Sequence, residues 1–206
     1  MDRLRRATAV LVVMVAISAA GEAARGGTLP VRGAIGTSVR VLRAGSIART
    51  LRECRGSGPR EWTPRTIVVE RRSGNRRTLA FRSADGRFLD SCESIGARVD
   101  GRRWCAPSTG TLFAGRLRDP RLTLCRGHRG PTVAFIWVTP RPAARWVGVL
   151  QRRRVELYRV AARLPVRVAS DGHVRIAGSS ATFFVRQYDA RGRIVASQTI
   201  VAHVAG

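Results

Sequence analysis

TFFVRQYDARGRIVASQTIVA, Thr182 to Ala202, sets two apolar-rich segments either side of Asp189-Ala190-Arg191-Gly192. An Asp at the first position of a type I turn, with a Gly three residues later where φ must be positive, marks an antiparallel hairpin with a three-residue loop and a G1 bulge. That register sets Tyr188 opposite Ile194 and Val185 opposite Ser197. The same chemistry recurs upstream. Between Val166 and Ile176, the loop Ser170-Asp171-Gly172 places Val168 opposite Val174, whereas a two-residue Asp-Gly loop would oppose Val168 to Arg175. From Leu79 to Leu89 the loop is Ala84-Asp85-Gly86, with Phe81 facing Leu89. Three loops of one geometry at irregular spacing predict short antiparallel hairpins without an internal repeat.

Further strands are expected at Thr66–Arg71, Arg77–Ser83, Arg87–Asp90, Ile95–Val99, Arg102–Cys105, Thr111–Leu117, Arg121–Leu124 and Thr132–Val138. A tight turn at Arg118-Asp119-Pro120-Arg121 sets Leu117 opposite Leu122. Ser46 to Cys54 is the one short helix, with Ser46 as its N-cap and Leu51 and Cys54 turned inward. Short strands with turn signals between them predict an all-β fold, an antiparallel sandwich or barrel-like unit of short hairpins. Pro140 and Pro142 mark the boundary between a disulfide-stapled part, residues 46–140, and a C-terminal β part, 141–206, in which Val155 and Leu157 point inward. Phe183 with Phe184 and Ile200 with Val201 make the last hairpin apolar on both faces, so it is expected to be covered on both sides or central in its sheet, and to pack on the first part as one unit.

The chain opens with a basic Met1 to Arg6 and an apolar run from Ala7 to Ala20, ending in small residues. This is the pattern of a secretory signal over residues 1–24, cleaved after Ala20 or Ala23. The run falls short of the roughly 18 residues that span a bilayer, which disfavours a retained anchor. Residues 25–45 read as a flexible tether, with an edge strand at Thr37–Leu42.

Cys54, Cys92, Cys105 and Cys125 are the only cysteines. An even count in an exported chain predicts two disulfides. Loop-closure entropy favours the short loop Cys92–Cys105, leaving Cys54–Cys125. Cys125 and His128 have the spacing of two metal ligands without a second pair, so no metal or other cofactor is expected.

All 38 basic side chains are arginine against 13 acids, a net charge of +25. Replacement of Lys codons in a G+C-rich genome explains the missing lysine but not the shortage of acids. Such a balance calls for a polyanion: an anionic wall polymer or a membrane surface, with nucleic acid the less favoured choice. Arginines alternating along strands, such as Arg167 and Arg175, read as a solvated face. Arg71, Arg72, Arg76 and Arg77 gather at the tip of one predicted hairpin and are the first candidates for anion binding, with Arg102 and Arg103 next. Trp62 and Trp104, flanked by arginines, are candidates for stacking on sugars or guanidinium planes, although packing against the disulfides is the favoured reading. Trp137 belongs to the core.

The segments ADGRFLDSC (84–92), RRWCAPSTG (102–110), LRDPRLTLC (117–125), FIWVTP (135–140), ARWVGV (144–149), LPVRVA (164–169) and QYDARGRIV (187–195) resemble small exported β-rich proteins of G+C-rich bacteria. The resemblance implies secretion, β structure and paired cysteines, and carries no activity.

No Gly-x-Ser-x-Gly, His-Glu-x-x-His or phosphate-binding glycine loop occurs. His128, His173 and His203 lie in loops or near the terminus. Glu70, Asp90, Glu93 and Asp119 show no spacing that selects an acid pair. The leading expectation is an exported domain, not an enzyme, that binds or scaffolds at the cell envelope. The alternatives are a secreted hydrolase whose acid pair is assembled across strands, and a module presenting its loops to a protein partner or as an inhibitor. Turn chemistry alone accounts for Asp85, Asp171 and Asp189. Replacing Asp189 by Ala is therefore expected to lower the urea unfolding midpoint and leave ligand binding by the folded protein unchanged, as paired denaturation and binding titrations would show.

Overall fold

The computed structural model describes residues 29–55, 63–83, 86–96, 105, 108–113, 116–117, 122–126, 132–151, 153–170 and 180–204. Strands β1 (Ile35–Gly36), β2 (Ser38–Arg43), β3 (Ile67–Ser73), β4 (Arg76–Arg82), β5 (Phe88–Ile95), β6 (Ser108–Phe113) and β7 (Arg116–Leu117) come first, with helix α1 (Ala48–Arg55) between β2 and β3. The chain continues through β8 (Thr123–Arg126), β9 (Thr132–Val138), β10 (Trp146–Leu150), β11 (Val155–Arg159), β12 (Val166–Ser170), β13 (Ser180–Tyr188) and β14 (Ile194–His203).

These strands form three sheets, ordered β1-β11-β10-β13-β14, β12-β9-β8 and β2-β3-β4-β5-β6-β7. All pairings are antiparallel except β1 on β11. The sandwich-like all-β architecture with one short helix is the one its turns predicted.

The three-stranded sheet lies in the middle because β9, TVAFIWV, is apolar at successive positions instead of alternate ones. Ala134, Ile136 and Val138 face the five-stranded sheet, where they meet Val147, Val149, Phe183 and Val185. The other face sends Trp137 against Val69, Ala80 and Leu89 of the six-stranded sheet, and Phe135 against the Cys125 region. The far face of the six-stranded sheet is covered by α1, whose Leu51 packs on Val68, Leu79 and Phe81. Each fully buried Val, Leu or Phe in these layers contributes about 1.5–3 kcal/mol.

The β13–β14 hairpin turns as its sequence requires. Gly192 has φ of 78° and donates to the Asp189 carbonyl at 3.2 Å. The Asp189 carboxylate accepts from the Arg191 and Arg193 amides at 2.8 and 3.0 Å and from Arg193 Nε at 2.7 Å. These bonds, that of the Arg193 amide foremost, hold its pKa below the ordinary aspartate value. Tyr188 opposes Ile194, but the register shifts there, so Val185 opposes Gln198 and not Ser197. Val195 is the extra residue of the bulge.

In the β4–β5 hairpin Ser83 donates to the Phe88 carbonyl and Phe81 opposes Asp90, not Leu89. The one-residue difference places Phe81 on the helix side and Leu89 on the inner side of the sheet. The expected partner of β12, residues 174–176, lies outside the described residues; β12 pairs with β9.

Several other expectations are corrected. The tether is shorter than 25–45, since Ile35–Gly36 pairs with β11 and Ser38–Arg43 with β3. Ser46 sits inside a 3-10 turn, Ala44–Ile47, that precedes α1, and its hydroxyl donates to the Arg43 carbonyl rather than capping the helix. The expected strand Thr111–Leu117 is two: β6 and β7 pair antiparallel with Leu112 opposite Leu117, and Leu122 bridges to Val204. Glu156 and Tyr158 are buried beside Leu157, so β11 is covered on both faces. The last hairpin, by contrast, is buried on one face only: Phe183 is 1% exposed but Phe184 52% and Val201 53%. The two parts either side of Pro140 and Pro142 are joined: β9 pairs with β12 across them, and the buried Gln187 binds the Arg141 amide and the Thr139 carbonyl.

The cysteines are all paired, as Cys54–Cys92 and Cys105–Cys125. Cys92 stands opposite Leu79 on the helix side of its sheet, where α1 presents Cys54. Cys105 packs on the inner side with Cys125. Side-chain parity along β5 thus overrides loop length. Disulfides of this kind fit folding in an oxidising compartment.

Arg167 is not on a solvated face. It is fully buried between the six- and three-stranded sheets, with Nε donating to Glu93 Oε1 at 2.8 Å and Nη2 to Thr123 Oγ1 at 2.7 Å. Its guanidinium carbon lies 5.3 Å from the Trp137 ring centre and 5.9 Å from that of Phe135. Arg167→Ala is expected to cost about 3–5 kcal/mol, because Glu93 is left buried without its cation, whereas the double replacement Arg167→Met with Glu93→Leu costs less than either single truncation. Urea unfolding of the three variants measures both differences.

Candidate functional site

The β3–β4 hairpin reverses at Gly74-Asn75 with Ser73 opposite Arg76, and Gly74 takes φ of 55°, the first central residue of a tight two-residue turn. Arg71, Arg72, Arg76 and Arg77 do meet at its base, but strand alternation sends them to two faces. On the helix side Glu70, 1% exposed, opposes Leu79 and collects three guanidinium groups. Its Oε1 accepts from Arg77 Nε at 2.6 Å and Arg72 Nη2 at 2.8 Å, and Oε2 lies 3.6 Å from Arg40 Nη1. Burial alone raises the Glu70 pKa, but the bond from Arg72 and the charge of Arg77 outweigh it and hold the carboxyl below its ordinary value near 4.5.

On the inner side Arg76 Nη2 binds Glu156 Oε1 at 2.7 Å, and Gln151 Nε2 binds Oε2 at 3.2 Å. Arg71 is buried and donates from Nη2 to the Arg159 carbonyl at 3.0 Å. Desolvation pulls its pKa down to about 10, so the group stays charged at neutral pH. Tyr158, close by, accepts from the Ala169 amide at 3.1 Å, and burial first, then Glu156, pushes its phenol far above the usual range. Arg71, Arg76 and Arg77 are therefore interior groups, which their position at a hairpin tip did not reveal.

Arg102, Arg103, Trp62 and Trp104 lie outside the described residues, as do His128, His173, Asp85, Asp119 and Asp171. The sulfur of Cys125 is in a disulfide and is no thiolate ligand. Among the described residues no group of three or more His, Cys, Asp or Glu gathers.

Among the described residues charge is segregated. Of the six described acids, Glu70, Asp90, Glu93, Glu156 and Asp189 are buried, and Glu53 alone is exposed. Eighteen described arginines are exposed. Around α1 the exposed set is Arg40, Arg43, Arg49 and Arg52, of which Arg49 is paired with Glu53 at 3.1 Å. The Glu70 cluster adds to this field, because three cations share one carboxylate and Arg40 and Arg72 reach solvent. Arg40 and Glu70 meet across strands 30 residues apart, a pairing invisible until β2 and β3 are in register.

The described candidates for a hydrolytic couple are divided between two faces and engaged by other groups. Glu70 and Asp90 are on the helix side of the sheet and Glu93 on the inner side; Asp90 accepts from Thr109 Oγ1 at 2.7 Å, Glu93 from Ser91 and Arg167. A groove of about 160 Å³ on the outer face of the five-stranded sheet is lined by Leu150, Phe184, Arg186, Tyr188 and Gln198 among others, with no carboxylate. No family model, curated protein or solved structure matches this chain.

Glu70→Gln is expected to lower stability by about 2 kcal/mol at neutral pH, where the native carboxylate accepts charged hydrogen bonds. Since the folded pKa is depressed, the advantage of the native protein over the variant is complete above the ordinary carboxyl value and shrinks as pH falls through the lowered one. Urea midpoints for the two proteins between about pH 3 and 7 follow that convergence.

Proposed function

We propose that this chain is an exported β-sandwich module that binds anionic polymer or anionic lipid headgroups at the cell envelope through its arginine-covered surface. The observation that carries this reading is the segregation of charge among the described residues, with five of six carboxylates inside and eighteen arginines outside. Composition sets the net charge, but only the fold removes nearly every described acid from the surface. A field of one sign attracts polyanions and raises their encounter rate. Guanidinium groups suit phosphate because their planar donors bind two oxygens at once. The N-terminal signal pattern and the two disulfides support an extracellular setting.

The region around α1 is the favoured contact surface. Arg43 and Arg52 there are exposed and belong to none of the described ion pairs, so they are free to engage phosphate. Binding to vesicles rich in phosphatidylglycerol, or to polyphosphate, is expected to be tight at low salt and to weaken steeply as ionic strength rises. Arg43→Gln with Arg52→Gln is expected to weaken binding several-fold and flatten the salt dependence, with the unfolding midpoint unchanged. Cosedimentation and titration at a series of salt concentrations test this; affinity indifferent to salt, or equal binding to neutral phosphatidylcholine vesicles, refutes it.

A further inference from the structure

A sheet edge leaves a row of backbone N–H and C=O groups without partners, and stable monomers blunt such edges with short strands, charges or cover. Among the described residues the three sheets end in six edge strands, and five of them are blunted in this way. β1 and β7 have two residues each. β2 carries the exposed Arg40 and Arg43, β8 is four residues long with Arg126 exposed at its end, and β12 is buried along its whole length. β14 is the exception. It has ten residues, and Ile194 to Ala202, IVASQTIVA, holds no ionisable group in a chain with 38 arginines.

One contact tells which backbone groups of β14 face outward. The Leu122 amide, on the side away from β13, donates to the His203 carbonyl at 3.3 Å. In an antiparallel strand the N–H and C=O of one residue point to the same side and the side alternates along the chain, so Val201, Thr199 and Ser197 also turn theirs away from β13. Among the described residues Leu122 closes that side only at the His203–Val204 end. Ser197, Gln198 and Thr199 are exposed in succession, which puts solvent on both faces of the sheet beside the open groups.

We propose that β14 pairs antiparallel with β14 of a second copy of this chain, about a two-fold axis at Thr199, and so joins two five-stranded sheets into one. The register is self-complementary. Thr199 faces its own counterpart and Ser197 faces Val201 of the other copy, so each pair brings together two outward-turned residues, which exchange both hydrogen bonds. Cross-strand Thr–Thr pairs are favourable, and this one lies beside Phe184, which stands opposite Thr199 in β13 and is 52% exposed. Val201, 53% exposed, gains a neighbour on the same face. Charge selects the occupant: the strand offers no cation to an acidic peptide or a polyanion, and two copies with a net charge of +25 each repel least where they meet along a neutral strip. A two-fold contact uses one edge on each copy and leaves none for further growth. The pairing is separate from the surface around α1 and stands whether or not that surface binds polyanions.

Sedimentation equilibrium of the protein tests this. The expected result is a reversible monomer–dimer equilibrium whose dimer fraction rises as sodium chloride increases from about 0.1 to 1 M, because screening weakens the repulsion between copies. Polyanion binding has the opposite salt dependence, so the two readings fail separately. Thr199→Arg sets like charges face to face at the axis and is expected to abolish the dimer with the circular dichroism spectrum unchanged, whereas Val41→Arg, on the exposed edge β2, leaves the dimer intact. Mild oxidation is expected to link Thr199→Cys into a covalent dimer and to leave Val41→Cys monomeric on a non-reducing gel. A monomer at every salt concentration, a dimer that persists in Thr199→Arg, or a Thr199→Cys chain that yields no cross-linked dimer overturns the proposal. If Thr199→Arg does not fold, the Thr199→Cys cross-link decides.

Discussion

Arg167 and Glu93 form the contact on which the layering depends. Both groups are fully buried, and their ion pair joins the middle sheet to the six-stranded sheet. Removing two charges from water is costly, so the pair holds only because its geometry is closed on several sides. Ser91 and Thr123 provide further hydrogen bonds, while the Trp137 and Phe135 rings flank the guanidinium. Any other register of β5 against the middle sheet would strand one charge in an apolar layer. We read the pair as a device for specifying how the two sheets dock, more than as a source of net stability.

The same logic extends through the interior. Arg76 with Glu156 ties the six-stranded sheet to β11, and Arg71 reaches the Arg159 carbonyl from β3. Polar contacts therefore stitch the first half of the chain to the second where apolar packing thins out. Gln187 does likewise for the segment around Pro140. The turn Ala161–Leu164, left-handed at Ala162 and Arg163, delivers Leu164 to the contact beside Trp137.

Consuming the acids inside has a consequence outside. A chain with 38 arginines and 13 acids is already cationic, and burying five of the six described acids leaves Glu53 as the one exposed carboxylate among the described residues. Self-repulsion on such a surface opposes compaction. Two disulfides, one fastening α1 to β5 and one fastening Cys105 to β8, constrain the chain against it. Stability of this protein and its affinity for polyanions are thus coupled through one distribution of charge.

Local rules of sequence were enough to establish the all-β class, the Asp-to-Gly turn before Arg193, the inward Leu51 and Cys54, the burial of Trp137 and the pairing of every cysteine. Each depends on neighbours a few residues away or on simple counting. Register was less legible, because a single bulge at Val195 or one extra loop residue before Phe88 exchanges the faces of a strand. That exchange decided the partners of Cys92, which looks toward α1 and not toward Cys105. What packs over and beside the β3–β4 hairpin decided that Arg71, Arg76 and Arg77 are interior, while Arg40, distant in sequence, joins them at Glu70. An arginine alternating with valines carries the same local pattern whether water or a second sheet lies over it. Only the tertiary structure places Trp137, Phe135 and Glu93 over Arg167, because sheet stacking is set by the sum of long-range contacts and no local motif encodes it.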